Sequence, residues 1–190
     1  MEAHYNTIDP VKQIMAFAVN LYFNQSTQSQ ITGFWEQLDL GIFADQKYRS
    51  FRPHVSLCIF ESINCADCEC LINQISTHFP LQTLKFDHLG VFNREEKVLF
   101  LALTPTSQLI TLQKEVYQKL SEHAQQPWDL YKPDTWVPHC TLVNDLSQQD
   151  LIKALPIALK IPLPLEINIS QIGIIEFDPI ISIFQVDISS

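Results

Sequence analysis

Basic residues are scarce in this chain of 190 residues. It has 12 Lys and Arg against 21 Asp and Glu, so its formal net charge is −9 at pH 7. Proteins that coat long nucleic acids contact many phosphates through Lys and Arg, and a chain of this charge is poorly suited to that task. We therefore exclude broad nucleic-acid binding, and we expect any phosphate-bearing ligand to be small or to be held only at its end.

We expect neither a secretory signal nor an uninterrupted membrane-spanning run. Its first twelve residues include acidic residues and a proline where a signal would have a basic segment followed by an apolar one. The apolar stretch of residues 151–175 is interrupted by Lys153, Lys160, Glu166 and three prolines, which a bilayer core disfavours strongly. We expect a cytoplasmic protein that does not associate with a membrane.

Cysteine is present in an odd number, five, so the thiols cannot all pair within the chain. Cys65, Cys68 and Cys70 lie close together in the sequence, but a zinc site needs four ligands, usually from two separated pairs, and no second pair follows. We expect ordinary reduced thiols, no metal site and no cofactor.

Hydrophobic periodicity predicts alternating strands and helices. Ser147 and Asp150 stand at the N-cap and capping-box positions of the last predicted helix. Residues 40–52 and 125–135 read as loops. Strands are predicted at 13–23, 53–60 and 137–143, helices around 31–38, 68–79, 107–123 and 147–155, and hairpins over 84–103 and 163–188.

The order strand, helix, hairpin occurs twice in the chain. Residues 88–92 match residues 171–175, and their glycines, Gly90 and Gly173, are two of only four in the sequence. These glycines are 83 residues apart, and His54 and His139 are 85 apart. We interpret the chain, residues 1–190, as a single α+β domain of two similar lobes. Each lobe has an antiparallel sheet with outer helices, and a pseudo-two-fold axis relates the lobes across an active-site cleft.

One sequence pattern appears in both predicted lobes: Pro, His, any residue, a hydroxyl residue, Leu, at 53–57 and 138–142. Either copy alone is expected by chance in well under roughly 1% of chains of this length. Residues i and i+2 of a strand share a face, so each histidine points the same way as the hydroxyl that follows it. The intervening residues then point into the core: Val55, Leu57, Cys140 and Leu142.

Two imidazoles and two hydroxyls in one cleft suit the cleavage of a phosphodiester. A neutral histidine can accept a proton from water or a ribose hydroxyl while a protonated one donates to the departing oxygen. The hydroxyls, Ser56 and Thr141, can hold the non-bridging phosphate oxygens. Histidine fits because its ordinary pKa near 6.5 allows one neutral and one charged ring around neutral pH.

With these two motifs the chain resembles the 2H phosphoesterases, in particular the branch of 2′-5′ RNA ligases and RNA 2′,3′-cyclic phosphodiesterases. The resemblance covers most of the chain, and Ser56 stands where many members have Thr. It implies a bilobal α+β fold and metal-independent opening of 2′,3′-cyclic phosphates or cleavage of 2′-5′ linkages. It further implies catalysis by His54 and His139 and phosphate binding by Ser56 and Thr141.

Further substrate-binding candidates lie just before or between the motifs. Lys47, Arg49 and Arg52 form a basic cluster before the first motif, and Tyr131 and Lys132 lie in the loop before the second. A basic cluster steers phosphate, and loop side chains are free to reach a ligand. The nearby Trp136 is expected to pack in the core, because an offset of three from a strand histidine faces away from the cleft.

The sequence predicts a two-histidine phosphodiesterase that acts on an RNA terminus or a small cyclic nucleotide, with 2′-5′ RNA ligation as the reverse reaction. We expect the protein to act as a monomer. Two enzymatic alternatives remain, an RNA-trimming nuclease and a 2′-5′ oligonucleotide hydrolase. A module that binds terminal phosphates without turnover is a third alternative, but a pure binder has no need for two proton-transfer groups.

Overall fold

The computed structural model describes residues 16–42, 52–79, 83–177 and 179–188. It contains four helices and eight strands within these residues. The helices are α1 Gln25–Ile42, α2 Cys65–Ser76, α3 Ser107–Ser121 and α4 Gln148–Ala158. The strands are β1 Ala16–Phe23, β2 His54–Ile63, β3 Thr83–Phe92, β4 Lys97–Leu103, β5 Ala124–Pro127, β6 His139–Leu146, β7 Leu165–Phe177 and β8 Ile181–Asp187.

The strands form one eight-stranded antiparallel sheet in the order β5-β2-β1-β7-β3-β4-β6, with β8 also paired to β7. The long strand β7 joins the two halves of this sheet. Its first part, from Leu165 to Asn168, pairs with β3, and the part from Ile169 to Phe177 pairs with β1. The predicted α+β class with duplicated antiparallel sheets is confirmed, and the two halves share a strand.

The repeat is longer than the sequence predicts. The succession β-α-β-α-β occurs once as β1-α1-β2-α2-β3 and again as β4-α3-β6-α4-β7, where the short edge strand β5 is inserted between α3 and β6. The last strand of each unit pairs with the first strand of the other unit, β3 with β4 and β7 with β1. Because each unit completes the sheet of the other, the two halves cannot separate without breaking strand pairs.

Local sequence explains most helix boundaries. The predicted cap of α4 is confirmed, since the Ser147 hydroxyl accepts from the backbone N–H of Asp150 at 3.1 Å. The predicted end at residue 155 is wrong, because α4 passes through Pro156 to Ala158, and a proline in the last turn removes only one backbone donor. Similarly, α1 begins in the polar run after β1, where the Asn24 side chain accepts from the Thr27 N–H at 3.0 Å.

The predicted loop at 125–135 is wrong in part. It contains the short strand β5, which pairs with β2, and a single 3-10 turn over Asp129–Tyr131. The polar residues of this segment give no strand pattern, because β5 lies at the edge of the sheet with both of its glutamines exposed.

The main core lies on one side of the sheet, under the helices. It receives alternate residues of the strands, such as Leu21 and Phe23 of β1 and Val55 and Leu57 of β2. A second, smaller apolar cluster is formed by Ala16, Ala18, Ile59 and Ile175, with Trp128, Tyr131 and Phe177 packed against it. This small cluster lies on the face of the sheet opposite the main core. The motif side chains lie on the same face.

Candidate active site

The motif strands β2 and β6 each contain a bulge at the same place. In β2, Ser56 and Cys58 pair with the consecutive β1 residues Asn20 and Val19, so Leu57 is the extra residue. In β6 the register passes from Thr141 to Val143, leaving Leu142 as the extra residue. A bulge reverses the alternation of faces beyond it, so residues five positions after each histidine return to the motif face.

The two histidines are held in the same way. Nδ1 of His54 lies 2.6 Å from the carbonyl oxygen of Arg52, and Nδ1 of His139 lies 2.7 Å from that of Val137. Because a carbonyl oxygen only accepts, each Nδ1 carries a proton and donates it. Nε2 is therefore the nitrogen that exchanges protons in both rings.

Burial lowers the pKa of both imidazoles below the ordinary histidine value. The pKa of His54 is lowered further by the charges of His139 and Arg52, while the hydrogen bond to the Arg52 carbonyl opposes this shift. At His139 the bond to the Val137 carbonyl likewise opposes the effect of burial on the pKa. Both rings thus favour the neutral form, and His54 has an additional positive charge beside it.

Both motifs open onto one cavity of about 560 Å³. Its lining includes His54, Ser56, His139 and Thr141, so the structure brings together the four side chains that the motifs predict. A volume in this range is typical of small-molecule sites. Two polar residues, Asn144 and Asp145, also line the cavity. The other lining side chains are mostly aromatic and apolar, among them Trp35, Ile59, Trp128, Tyr131, Ile175 and Phe177.

The two motif hydroxyls differ in their surroundings. Ser56 Oγ donates to Oδ1 of Asn20 at 2.8 Å, and Asn20 is fully buried on β1. No hydrogen bond of the Thr141 hydroxyl is found among the described residues. Thr141 is therefore ready to donate to a phosphate oxygen, whereas Ser56 must first turn its hydroxyl away from Asn20.

Two indoles brace the motif strands across the halves of the molecule. Trp136 Nε1, just before β6, donates to the carbonyl oxygen of Ser56 at 2.9 Å. Trp35 Nε1, on α1, donates to the carbonyl oxygen of Thr141 at 3.1 Å. Trp136 is buried, as its position predicts. Each indole thus ties its own half of the molecule to the motif strand of the other half.

The three other predicted binding residues occupy different places. Arg52 lines a side cavity next to His54, and Tyr131 lines the main cavity with its pKa raised to about 12 by burial. Lys132 is not among the residues that line either cavity, and its Nζ lies 2.6 Å from Oδ1 of Asp129. Lys47 and Arg49 lie outside the described residues.

Neither a metal cluster nor a membrane span is found in the described part of the chain. No three His, Cys, Asp or Glu side chains there are grouped so as to hold a metal ion. None of the four described helices is long and apolar enough to cross a bilayer. Cys68, in α2, is buried, and burial raises the pKa of its thiol to about 11.

Comparison with known proteins identifies the family. The model of the 2′-5′ RNA ligase superfamily matches residues 27–179, which include both motifs and all but one of the residues that line the main cavity. The chain belongs to the 2′-5′ RNA ligase superfamily. The predicted relation to the 2H phosphoesterases is confirmed by this match. No curated protein matches the chain significantly.

Solved structures share the fold of this superfamily member. A structure described as a phosphoesterase is 16% identical, with a TM-score of 0.58, and the match covers 94% of this chain and 100% of the other. E. coli LigT complexed with 3′-AMP is 17% identical, with a TM-score of 0.54, and the match covers 94% of this chain and 99% of LigT. At these identities the likeness establishes the shared fold.

Several residues of the site do not follow from the sequence motifs, and three of them show why. Ile59 and Asn144 line the cavity, although strand alternation from the histidines places both on the opposite face; the bulges reverse them. Asn20 belongs to β1, outside both motifs, and reaches Ser56 only through strand pairing. The Leu that follows the hydroxyl in both motifs is the extra residue of each bulge, but a leucine alone does not predict one.

Proposed function

We propose that the protein is a phosphodiesterase that opens 2′,3′-cyclic phosphates by general acid and base catalysis without a metal ion. The observation that carries this proposal is the pair of histidines with identically anchored Nδ1 atoms on one cavity with two hydroxyl side chains. Such a pair supplies both proton transfers of a phosphoryl transfer. The bound 3′-AMP of E. coli LigT, a nucleoside monophosphate, supports a ligand of nucleotide size.

The two histidines are assigned different roles. His54 has the positive Arg52 beside it, which favours its neutral form, so His54 is the general base that takes a proton from water. His139 lacks this neighbour and is the general acid that protonates the departing ribose oxygen. Negative charge on the phosphate stabilises the imidazolium once substrate is bound.

The remaining polar groups bind the phosphate. The Thr141 hydroxyl donates to a non-bridging oxygen, and Ser56 does so after rotating away from Asn20. The apolar and aromatic wall around Trp128 and Tyr131 offers a face for a nucleobase. In ligation a 5′-hydroxyl of a second strand takes the place of water: His54 accepts its proton, its oxygen attacks the cyclic phosphate, and the bond to the 3′ oxygen breaks as His139 protonates that oxygen, which leaves a 2′-5′ linkage. Cleavage of that linkage is the reverse reaction, with the roles of the histidines exchanged.

The test is hydrolysis of adenosine 2′,3′-cyclic phosphate followed over pH. The wild type is expected to give a bell-shaped kcat/KM profile. The residual activity of His54→Ala is expected to lose the acidic limb, which reports the base, and that of His139→Ala the alkaline limb, which reports the acid. Loss of the opposite limbs would reverse the assignment, and absence of turnover by the wild type would contradict the proposed function.

A further inference from the structure

The site is symmetric at its catalytic atoms but not around them. The residue two positions before the first motif histidine is Arg52, whereas Val137 holds that position in the second motif. Strand pairing sets Tyr22 opposite the first histidine and Ala102 opposite the second. At these two positions a cation and a phenol flank His54, and neither has a counterpart beside His139. The cleft therefore has different groups on the His54 side and on the His139 side. Proton transfer to and from a cyclic phosphate alone does not require this difference.

The guanidinium of Arg52 is held by neutral groups. Its N–H groups donate to Oε1 of Gln185 at 2.9 Å, to Oε1 of Gln171 at 3.0 Å and to Oε1 of Gln28 at 3.4 Å. Its central carbon lies 4.4 Å from the centre of the Tyr22 ring. No carboxylate lies within salt-bridge distance of it among the described residues. The position of the cation is fixed while its charge is not compensated.

The glutamines are themselves oriented by a chain of hydrogen bonds. Nε2 of Gln171 donates to Oδ1 of Asp187 at 2.7 Å, and Nε2 of Gln185 donates to Oε1 of Gln171. These bonds leave the amide oxygens of both glutamines facing Arg52. A half-buried charge with only neutral partners costs desolvation energy that an anion would offset. The arrangement is therefore suited to receive an anion.

A side cavity lies where that anion would bind. It has a volume of about 260 Å³ and is lined by Tyr22, Arg52, His54, Ser182 and Gln185 with two isoleucines. It shares His54 and both isoleucines with the main cavity. Its volume is below that of a typical drug-sized site, so it accommodates a small group attached to a ligand that occupies the main cavity.

We propose that Arg52 and the side cavity form a subsite for a second phosphate of the substrate, on the His54 side of the phosphate that reacts. The proposal rests on the proposed function and narrows its substrate class to nucleotides with two phosphates. In a 2′,3′-cyclic nucleotide the second phosphate is the one on the 5′ oxygen. It is either a terminal monoester or the bridging diester to a preceding nucleotide. Arginine binds such oxygens through two parallel N–H groups.

The test compares three substrates: adenosine 2′,3′-cyclic phosphate, the same nucleotide with a 5′-phosphate, and a dinucleotide ending in the cyclic phosphate. Hydrolysis of each adds one water and opens the ring. We expect kcat/KM to be about 10- to 100-fold higher for at least one substrate with a second phosphate, mainly through KM, as for a charge-assisted hydrogen bond. A gain for the mononucleotide alone identifies a terminal phosphate, and a gain for the dinucleotide identifies an oligonucleotide end.

Substitution of the arginine isolates its contribution. In Arg52→Gln the ratio of kcat/KM between substrates with and without the second phosphate is expected to fall to about one, and Arg52→Lys should keep part of it. Because only ratios within one variant are compared, a changed pKa of His54 cancels if all substrates are measured at one pH. Lys153→Gln removes an exposed charge on α4 and should leave the ratio unchanged. A wild-type ratio near one, or a ratio that persists in Arg52→Gln, would overturn the proposal.

A binding measurement separates this proposal from the proposed function. Calorimetry with adenosine 3′-monophosphate and adenosine 3′,5′-bisphosphate reports the second phosphate without any turnover. The bisphosphate is expected to bind about 10- to 100-fold more tightly to the wild type and with no advantage to Arg52→Gln. If this preference is found while no cyclic phosphate is hydrolysed, the subsite stands and the proposed reaction fails. Equal affinities would contradict the subsite even in an active enzyme.

Discussion

Gly90 occupies a position where a methyl group has no room. A Cβ built at Gly90 would overlap the outer atoms of the Phe100 ring. That ring is buried, with its centre 4.3 Å from that of Phe92 and 5.1 Å from that of His139. The ring therefore cannot turn aside freely, and Gly90→Ala must displace a ring that packs against His139.

The expected loss of stability follows from this overlap. An extra methylene in a well-packed core typically costs about 1–3 kcal/mol. None of the described glycines has a positive φ, so the backbone of Gly90 tolerates alanine and the cost is steric. Gly33, within α1, has no atom within 4 Å of a built Cβ. Gly33→Ala is therefore the control, expected to stabilise the protein by about 0.5–1 kcal/mol.

Activity should respond to Gly90→Ala as well. A catalytic group misplaced by about 1 Å can cost roughly 100-fold in rate, and the displaced ring contacts His139 directly. Chemical denaturation and hydrolysis of a 2′,3′-cyclic nucleotide measure the two effects. Adding Phe100→Leu should restore part of both losses, since a smaller side chain leaves room for the methyl group. Equal effects of Gly90→Ala and Gly33→Ala on stability would show that the Phe100 ring does not restrict position 90.

Three further predictions concern the site itself. Because burial lowers the pKa of both histidines, the bell-shaped pH profile of kcat/KM should centre below the ordinary histidine pKa of about 6.5. The profile of kcat should lie at higher pH, since bound phosphate favours the imidazolium. A kcat/KM profile centred well above pH 7 would contradict the effect of burial. Thr141→Val should raise KM and leave the melting temperature unchanged, whereas Ser56→Ala should lower the melting temperature, because the buried Asn20 loses its donor. The reverse pattern in thermal melts and steady-state kinetics would disprove the difference between the hydroxyls. Trp136→Phe should lower the free energy of unfolding in urea by about 1–3 kcal/mol, because the Ser56 carbonyl loses its donor. Trp35→Phe should lower it by less, because Trp35 is only half-buried. Equal losses in the two variants would argue against the role of burial.

The four motif side chains that line the cavity could be predicted because the information is local. A strand fixes the relation between a histidine and the residue two positions later, so His54 with Ser56 and His139 with Thr141 follow from the sequence. The repeated pattern then implies a shared cleft. The structure agrees at this level, since all four side chains line one cavity.

Other features could not be predicted because they depend on pairing between distant strands. The bulges at Leu57 and Leu142 arise where β2 meets β1 and β6 meets β4. They bring Asn144 onto the motif face, contrary to its offset from His139. The exchange of the last strands, β3 and β7, between the units is likewise invisible to local periodicity.

Lys132 illustrates the limit of arguments from loop position. Its place between the motifs predicts a freely moving cation, but the 3-10 turn brings it to Asp129, with Nζ 2.6 Å from Oδ1. Arg52, in contrast, lies beside His54 because it directly precedes the motif strand, and its glutamine partners come from α1, β7 and β8. Sequence identifies such a cation, and only tertiary structure determines what it faces.

We propose that His54 and His139 together perform the proton transfers. The hydrolysis rate of adenosine 2′,3′-cyclic phosphate in the presence of EDTA tests this for the wild type, His54→Ala, His139→Ala and the double variant. We expect full wild-type activity in EDTA and a loss of about two to four decades in each single variant. The double variant is expected to lose less than the product of the two single losses. Activity abolished by EDTA and restored by zinc or manganese, or a single variant as active as the wild type, would contradict this proposal.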